Sequence, residues 1–226
     1  MFERKIIIVT GNANGIGKEI YDRIPREEFK VIGIDKENDN KKNKINLDIS
    51  TGDYSVLSKF KGKKIYGIIN NAAILIKKPL DEYTNDDWLG IVNTNIKPIW
   101  ELSKLFKSEL IENKGFIINI SSVHSVSTLE NVSLYAMSKG AVESLSRALS
   151  IELGKYGVRV NCIRPGAILT RMLDYTDKIN NNIPIGRVAK PSDIYDVVHF
   201  LIYNPYIIGE CITVDGGSLA KLSTGI

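Results

Sequence analysis

Short apolar, β-branched runs alternate along this chain with longer stretches of helical periodicity, and that alternation narrows the fold more than any other feature. In Lys5–Val9 (KIIIV) the isoleucines and valine leave no polar face, as expected of a strand covered on both sides. Further strands are expected at Phe29–Ile34 (FKVIGI), Lys44–Leu47, Ile65–Ile69 (IYGII), Phe116–Ile120 (FIINI), Val158–Ile163 (VRVNCI) and Cys211–Val214 (CITV). Helices are expected from Gly15 to about Ile24, Gly52 to about Phe60, Asp86 to about Glu112, Val132 to Tyr156, and Ser192 to Tyr203, the last started by Pro191 and Ser192. The polar, asparagine-rich stretch Asp174–Asn182 reads as a loop. This order predicts an α/β fold: a Rossmann-type, doubly wound parallel sheet of about seven strands flanked by helices, in one domain over residues 1–226.

A chain of 226 residues can bury one large core and is short for two. The net charge of +4 is small, and the lysine pairs 41–42, 63–64 and 77–78 are scattered, which argues against a nucleic-acid groove. The N-terminal segment lacks a signal-peptide layout, and no apolar run is long enough for a bilayer, so a cytoplasmic protein with no membrane partner is expected. Cys162 and Cys211 each sit in an apolar, strand-like segment and read as buried free thiols. Two histidines, His124 and His199, cannot build the common zinc sites, so no metal is expected.

The first strand runs into Thr10-Gly11-Asn12-Ala13-Asn14-Gly15-Ile16-Gly17. Glycines at this strand-to-helix turn let a diphosphate approach the backbone, and the helix behind offers free N–H groups and the positive end of its dipole. The spacing lacks the Gly-Lys-Ser/Thr ending of a nucleotide-triphosphatase loop. Asp35, 18 positions beyond Gly17, ends the second strand, where a carboxylate accepts hydrogen bonds from ribose hydroxyls and repels a 2′-phosphate. With Asn14 rather than a cation in the loop, NAD is expected over NADP, and Lys36 is the residue that opposes this.

Tyr135 and Lys139 (YAMSK) are four apart and share a helix face. An ammonium group beside a phenol favours the phenolate and suits the tyrosine to exchange a proton with a substrate oxygen. The run Ile117-Ile118-Asn119-Ile120-Ser121-Ser122 is a buried strand whose carboxyl end carries hydroxyls, and there a doubly wound sheet binds its ligands.

Taken together these segments resemble the short-chain dehydrogenase/reductase family, in its standard-length, single-domain branch. The likeness rests on Thr10–Gly17, Asn70-Asn71-Ala72-Ala73, Trp88 followed by Asn95, the set Ser122, Tyr135 and Lys139, Arg164-Pro165-Gly166 with Thr170, Ile185–Val188, Pro191 to Asp193, and Gly209 through Asp215-Gly216-Gly217. It implies a catalytic tetrad of Asn95, Ser122, Tyr135 and Lys139. Tyr135 is the general acid/base, Lys139 holds the nicotinamide ribose, Ser122 orients the substrate oxygen, and Asn95 supports a proton-relaying water. It also implies a cofactor surface of Gly11, Asn14, Gly15, Ile16, Gly17, Asp35, Asp48, Asn71, Ala72, Ala73, Tyr135, Lys139, Pro165, Gly166, Ile168 and Thr170, with Asp48 toward adenine and Thr170 toward the carboxamide.

Three departures from the family pattern stand out: Ala73 for a glycine, Pro98 shortly after Asn95, and a short segment between Thr170 and Pro184. Met172 and Tyr175 in that segment are candidates to touch substrate or to cover the cofactor; His124 near Ser122 reads first as a satisfied or exposed histidine and second as a substrate contact, and Trp88 reads as core packing. The expected activity is hydride transfer between NAD(H) and a secondary alcohol or ketone as small-molecule substrate. The alternatives are a reductase of carrier-bound 3-oxoacyl chains and a silent dinucleotide-binding regulator. A homotetramer is expected, from the family habit of pairing the two long helices and from Trp100, Leu105, Phe106, Leu145 and Leu149, which need apolar partners.

Overall fold

The structure, a computed structural model, describes residues 4–38, 43–173 and 178–221. Seven parallel strands form one sheet in the order β3-β2-β1-β4-β5-β6-β7. They are β1 (Lys5–Thr10), β2 (Phe29–Asp35), β3 (Lys44–Asn46), β4 (Ile65–Asn70), β5 (Phe116–Ile120), β6 (Arg159–Pro165) and β7 (Cys211–Val214). The period of two along β1 explains why it is apolar throughout. Ile6 and Ile8 join one core with Leu102, Phe106, Val142 and Leu149, while Ile7 and Val9 join the other with Ile20, Tyr195, Val198 and Leu201. Each such side chain removed from water contributes about 1.5–3 kcal/mol. The chain winds outward from β1 through β2 to β3, then returns to β4 on the other side of β1. That reversal opens a crevice above the carboxyl ends of β1 and β4, which is where such sheets bind ligands.

Helices α1 (Gly15–Arg23) and α7 (Pro191–Tyr203) cover one face. The other is covered by α3 (Lys97–Leu105) and α5 (Ser133–Gly154), preceded in the chain by α2 (Asn85–Ile91), with α4 (Lys107–Glu112) following α3. The single helix expected over Asp86–Glu112 is therefore three helices. A π turn at Val92–Ile96 separates α2 from α3, and Phe106, with φ −109° and fully buried, separates α3 from α4. The helix expected over Gly52–Phe60 is replaced by two 3-10 turns, Ile49–Thr51 and Ser55–Phe60. Gly52 between them has a positive φ of 78°, which ends the first. Within the stretch expected to be a loop, Lys178–Asn182 forms the short helix α6, while Tyr175 lies outside the described residues.

Trp88 is 46% exposed, so it is not core. Of the residues expected to need partners, Phe106 and Leu149 are buried in the subunit's own core, whereas Trp100 is 47% exposed on α3. Cys162 is buried and Cys211 half-buried, and they face each other across the β6–β7 register as free thiols.

Candidate active site

The glycine turn after β1 is built for close backbone approach. Gly11 and Gly15 have φ of +71° and +55°, a region that side chains rarely adopt. A Cβ on Gly17 would lie 2.0 Å from the Gly11 carbonyl oxygen, so helix α1 packs against the loop only with glycine there. Asn14 is the N-cap of α1 but makes no capping bond with its side chain, which leaves the N–H groups of the first turn to a ligand. Its amide instead donates to Glu37 Oε2 at 2.9 Å. Ile16 is half-buried against the core. Asn71 Nδ2 donates to the carbonyls of Thr10 and Gly11 at 3.1 Å each, and Thr10 Oγ1 accepts from the N–H groups of Asn71 and Ala72. The segment Asn71–Ala73 thus runs beside the loop.

Asp35 ends β2 with one carboxylate oxygen on the Ala13 N–H and the other on the Glu37 N–H, both at 3.0 Å. It is thereby fixed at the rim of the loop with lone pairs to spare. Asp48 lies further out, exposed, and caps the Ile49–Thr51 turn by accepting from Ser50 N and Oγ; these bonds hold its carboxyl below the usual range. Opposite, β6 delivers Pro165 and Gly166, and a Cβ on Gly166 would meet the Asp215 backbone at 2.8 Å. Ile168 is buried and bridges to Ala189, and Thr170 rests on the loop so that its Cγ2 would be 3.1 Å from a Cβ on Gly15. Glycines, free helix N–H groups and a rim carboxylate are what an adenine dinucleotide needs from a protein, and these residues fit one.

The four tetrad positions meet at the carboxyl ends of β4 and β5. Ser122 follows β5, and its side chain lies by the Tyr135 hydroxyl on the first turn of α5, near enough to favour the phenolate. Lys139 Nζ stands 5.5 Å from the Tyr135 ring centroid and donates to Ile120 O at 2.9 Å. Both Tyr135 and Lys139 are nearly completely buried. Burial depresses the Lys139 ammonium to about 8. Burial also pushes the Tyr135 phenol up to about 12, against the opposing effect of the nearby Ser122 hydroxyl. Desolvation dominates the phenol here, while Lys139 Nζ is turned to Ile120 O.

Asn95 sits in the π turn, a local insertion that often marks functional positions. Its Oδ1 accepts from Ile74 N at 2.9 Å, and its Nδ2 donates to Ile74 O and to Ser138 Oγ, each at 3.0 Å. It thus clamps the segment after β4 to α5, between Tyr135 and Lys139. The His124 ring meets the Tyr135 ring edge-on at 5.7 Å, its Nδ1 paired with Thr128 Oγ1.

The comparisons agree with this geometry. Residues 11–218 match the family model described as enoyl-(acyl carrier protein) reductase. The chain belongs to the short-chain dehydrogenase/reductase family. The class is that of NAD(P)-dependent oxidoreductases acting on CH–OH groups. Meso-2,3-butanediol dehydrogenase of Serratia marcescens is 29% identical, over 97% of this chain and 96% of its own. A 3-oxoacyl-[acyl-carrier-protein] reductase of Chlamydia muridarum is 30% identical, over 94% and 96%. The solved structure of 4-hydroxyisoleucine dehydrogenase with NADH superposes with a TM-score of 0.88 at 26% identity, covering 97% of this chain and all of that one. A structure described as an NAD(P)-dependent gluconate 5-dehydrogenase of Beutenbergia cavernae, with NADP bound at low occupancy, gives 0.89 at 28% identity, covering 97% and 98%.

Sequence reasoning passed over several residues of this dehydrogenase/reductase site. Asn12 and Asn38, 26 apart, are buried and bond reciprocally beneath the loop. Glu37 brings a second carboxylate to the rim. Glu143 and Arg164 form an ion pair behind Lys139. Only Glu37 could have been found from sequence, as an acid next but one to Asp35.

Proposed function

We propose that the protein transfers a hydride between NAD(H) and a secondary alcohol or ketone, with Tyr135 as general acid/base. The observation that carries the reading is the buried juxtaposition of Ser122 and Tyr135 at the crevice, with Lys139 beside the ring. A bound nicotinamide supplies or accepts the hydride. Ser122 donates to the substrate oxygen and supports charge on it. Tyr135 gives its proton to that oxygen during ketone reduction and takes one during alcohol oxidation. For oxidation the phenol has to fall from about 12, and the charged Lys139, once turned toward it, favours that fall. Asn95 keeps α5 in register with the segment after β4.

NAD is preferred to NADP in this reading, because Asp35 and Glu37 both set negative charge at the ribose end of the loop. NADH and NADPH titrations at matched salt test it. Tighter NADH binding is expected, and Asp35→Ala should narrow the ratio by about ten-fold, the size of one charged hydrogen bond. The activity itself is tested by NADH formation from NAD⁺ with a panel of sugars, cyclic polyols, steroids and hydroxyacyl thioesters. Turnover of the thioesters alone would favour the acyl-carrier reading, which the Chlamydia relative supports. NADH binding without turnover of any alcohol would favour a silent regulator.

We assign the enzyme to the cytoplasm, whose reducing conditions suit two free thiols. We further propose a homotetramer, supported by Trp100 on α3 and Ile151 on α5, the latter 80% exposed. Light scattering at micromolar concentration should give the tetramer mass, and a monomer mass would refute it.

A further inference from the structure

Glu143 lies on α5, one turn beyond Lys139, and is buried. Its Oε1 accepts from Arg164 Nε at 2.9 Å, from Ser121 Oγ at 2.9 Å and from Ser125 Oγ. Its Oε2 accepts from Arg164 Nη2 at 2.7 Å. The bidentate pair fixes the carboxylate in direction as well as place. Burial alone would raise its pKa, but the bonds from Arg164, Ser125 and Ser121 outweigh that and hold it ionised. Three of the four donors converge on Oε1 and one on Oε2, which holds the carboxylate toward Arg164 and the two serines.

Ser121 precedes Ser122, and Ser125 stands at the turn after it, its Oγ 2.7 Å from Ser122 O as well, so its single proton is shared between that carbonyl and Glu143. Arg164 reaches on to Thr213 of β7 at 2.8 Å, and in sequence it immediately precedes Pro165. One carboxylate therefore ties the helix of Tyr135 and Lys139 to both neighbours of Ser122 and to the strand that ends in Pro165 and Gly166. Packing alone does not require a buried ion pair here, because apolar side chains of the same volume often stabilise as well. What the pair adds is directional constraint on two elements that must bring two hydroxyls together.

We infer that Glu143, held by Arg164, is a positioning residue that sets where the Ser122 hydroxyl stands relative to Tyr135. The inference rests on the catalytic reading of those two hydroxyls. Glu143→Gln keeps the shape and removes the charge. Alcohol oxidation should be followed per NADH-binding site, with ordinary and carbinol-deuterated substrate, beside the parent enzyme and Tyr135→Phe. The expected kcat is about ten- to a hundred-fold lower, the scale of a ~1 Å misplacement of a reacting group. The deuterium isotope effect on kcat should grow, because hydride transfer becomes the slow step, while the NADH Kd stays within about two-fold. A purely structural role would lower the melting temperature and leave kcat per site and the isotope effect at parent values, and that result overturns the inference. If Glu143→Gln does not fold, Ser125→Ala removes one donor and carries the same test, with a fall of about three-fold and the same isotope signature. Parent kcat in Ser125→Ala would then overturn it. A Tyr135→Phe enzyme with parent turnover is a distinguishable outcome: it removes the catalytic pair itself, and the inference with it.

Discussion

Two stretches that read alike as long amphipathic helices fold differently, and the difference follows the chemistry. Helix α5 runs unbroken for 22 residues and lines up Tyr135, Lys139, Glu143 and Ser146 on one face at the spacing of a helical turn. The stretch from Asn85 to Glu112 breaks twice. In its π turn, Lys97 N–H bonds back to Val92 O, one residue further than in an α-helix, and Pro98 has no N–H to resume the normal ladder. The inserted residue turns Asn95 inward, buried, toward Ile74 and Ser138. A helix that presents residues along one face keeps its period, whereas one that must aim a single amide across to a neighbour gives the period up.

The comparison can be broken from either side. The largest effect is expected on the regular helix. Lys139→Met removes the charge next to Tyr135 and should lower alcohol oxidation by ~10²–10⁴-fold and weaken NADH binding, measured by turnover and titration. The same variant carries a pH signature in the free protein. Lys139 is held at about 8 in the fold, below its ordinary 10.5. Its burial penalty is therefore present in full below pH 8, and it is relieved as pH rises toward the ordinary value, where the unfolded chain binds more protons than the folded one. The melting temperature of the parent relative to Lys139→Met should rise across that window. A flat difference would mean that Lys139 is not desolvated.

In the π turn, Asn95→Ala strands the Ile74 N–H and C=O and takes a donor from Ser138 Oγ, which keeps its own bond to Tyr135 O. It should lower kcat by about ten- to a hundred-fold, with a stability loss of about 1–3 kcal/mol for buried groups left unpaired. Equal activity in the variant would mean that the π turn is only a packing irregularity. The smallest effect is expected from Pro98→Ala, which restores a backbone N–H while Asn95 still holds the turn. Turnover should change by less than about three-fold, and a larger loss would shift the cause of the π turn from Asn95 to the proline.

Much of this was legible in the sequence, for physical reasons. Strands covered on both faces are mostly apolar, so the isoleucine runs of Lys5–Val9 and Phe116–Ile120 mark them, and the Gly11–Gly17 turn and the YAMSK step lie within single local segments. The breaks at Val92–Ile96 and Phe106 were not legible, because the apolar pattern continues through them and only Pro98 hints at a change. Trp88 was misread because an aromatic residue on an apolar face looks like core whether the fold covers it or not. Glu143 with Arg164, 21 apart, and Asn12 with Asn38, 26 apart, are joined only by tertiary packing, and no local periodicity marks such pairs. The pKa of Tyr135 was read from its charged neighbour, but the larger effect, burial, comes from the whole fold.

The central claim is that the Tyr135 hydroxyl moves the proton, and Tyr135→Phe tests it most directly, since the ring stays and only the hydroxyl leaves. NADH binding and alcohol oxidation should be measured on the same preparation. Binding is expected within about two-fold of the parent and turnover lower by ~10²–10⁴-fold or more. Oxidation at the parent rate with intact binding would contradict it, and the proton would then have to pass through His124, whose ring touches that of Tyr135.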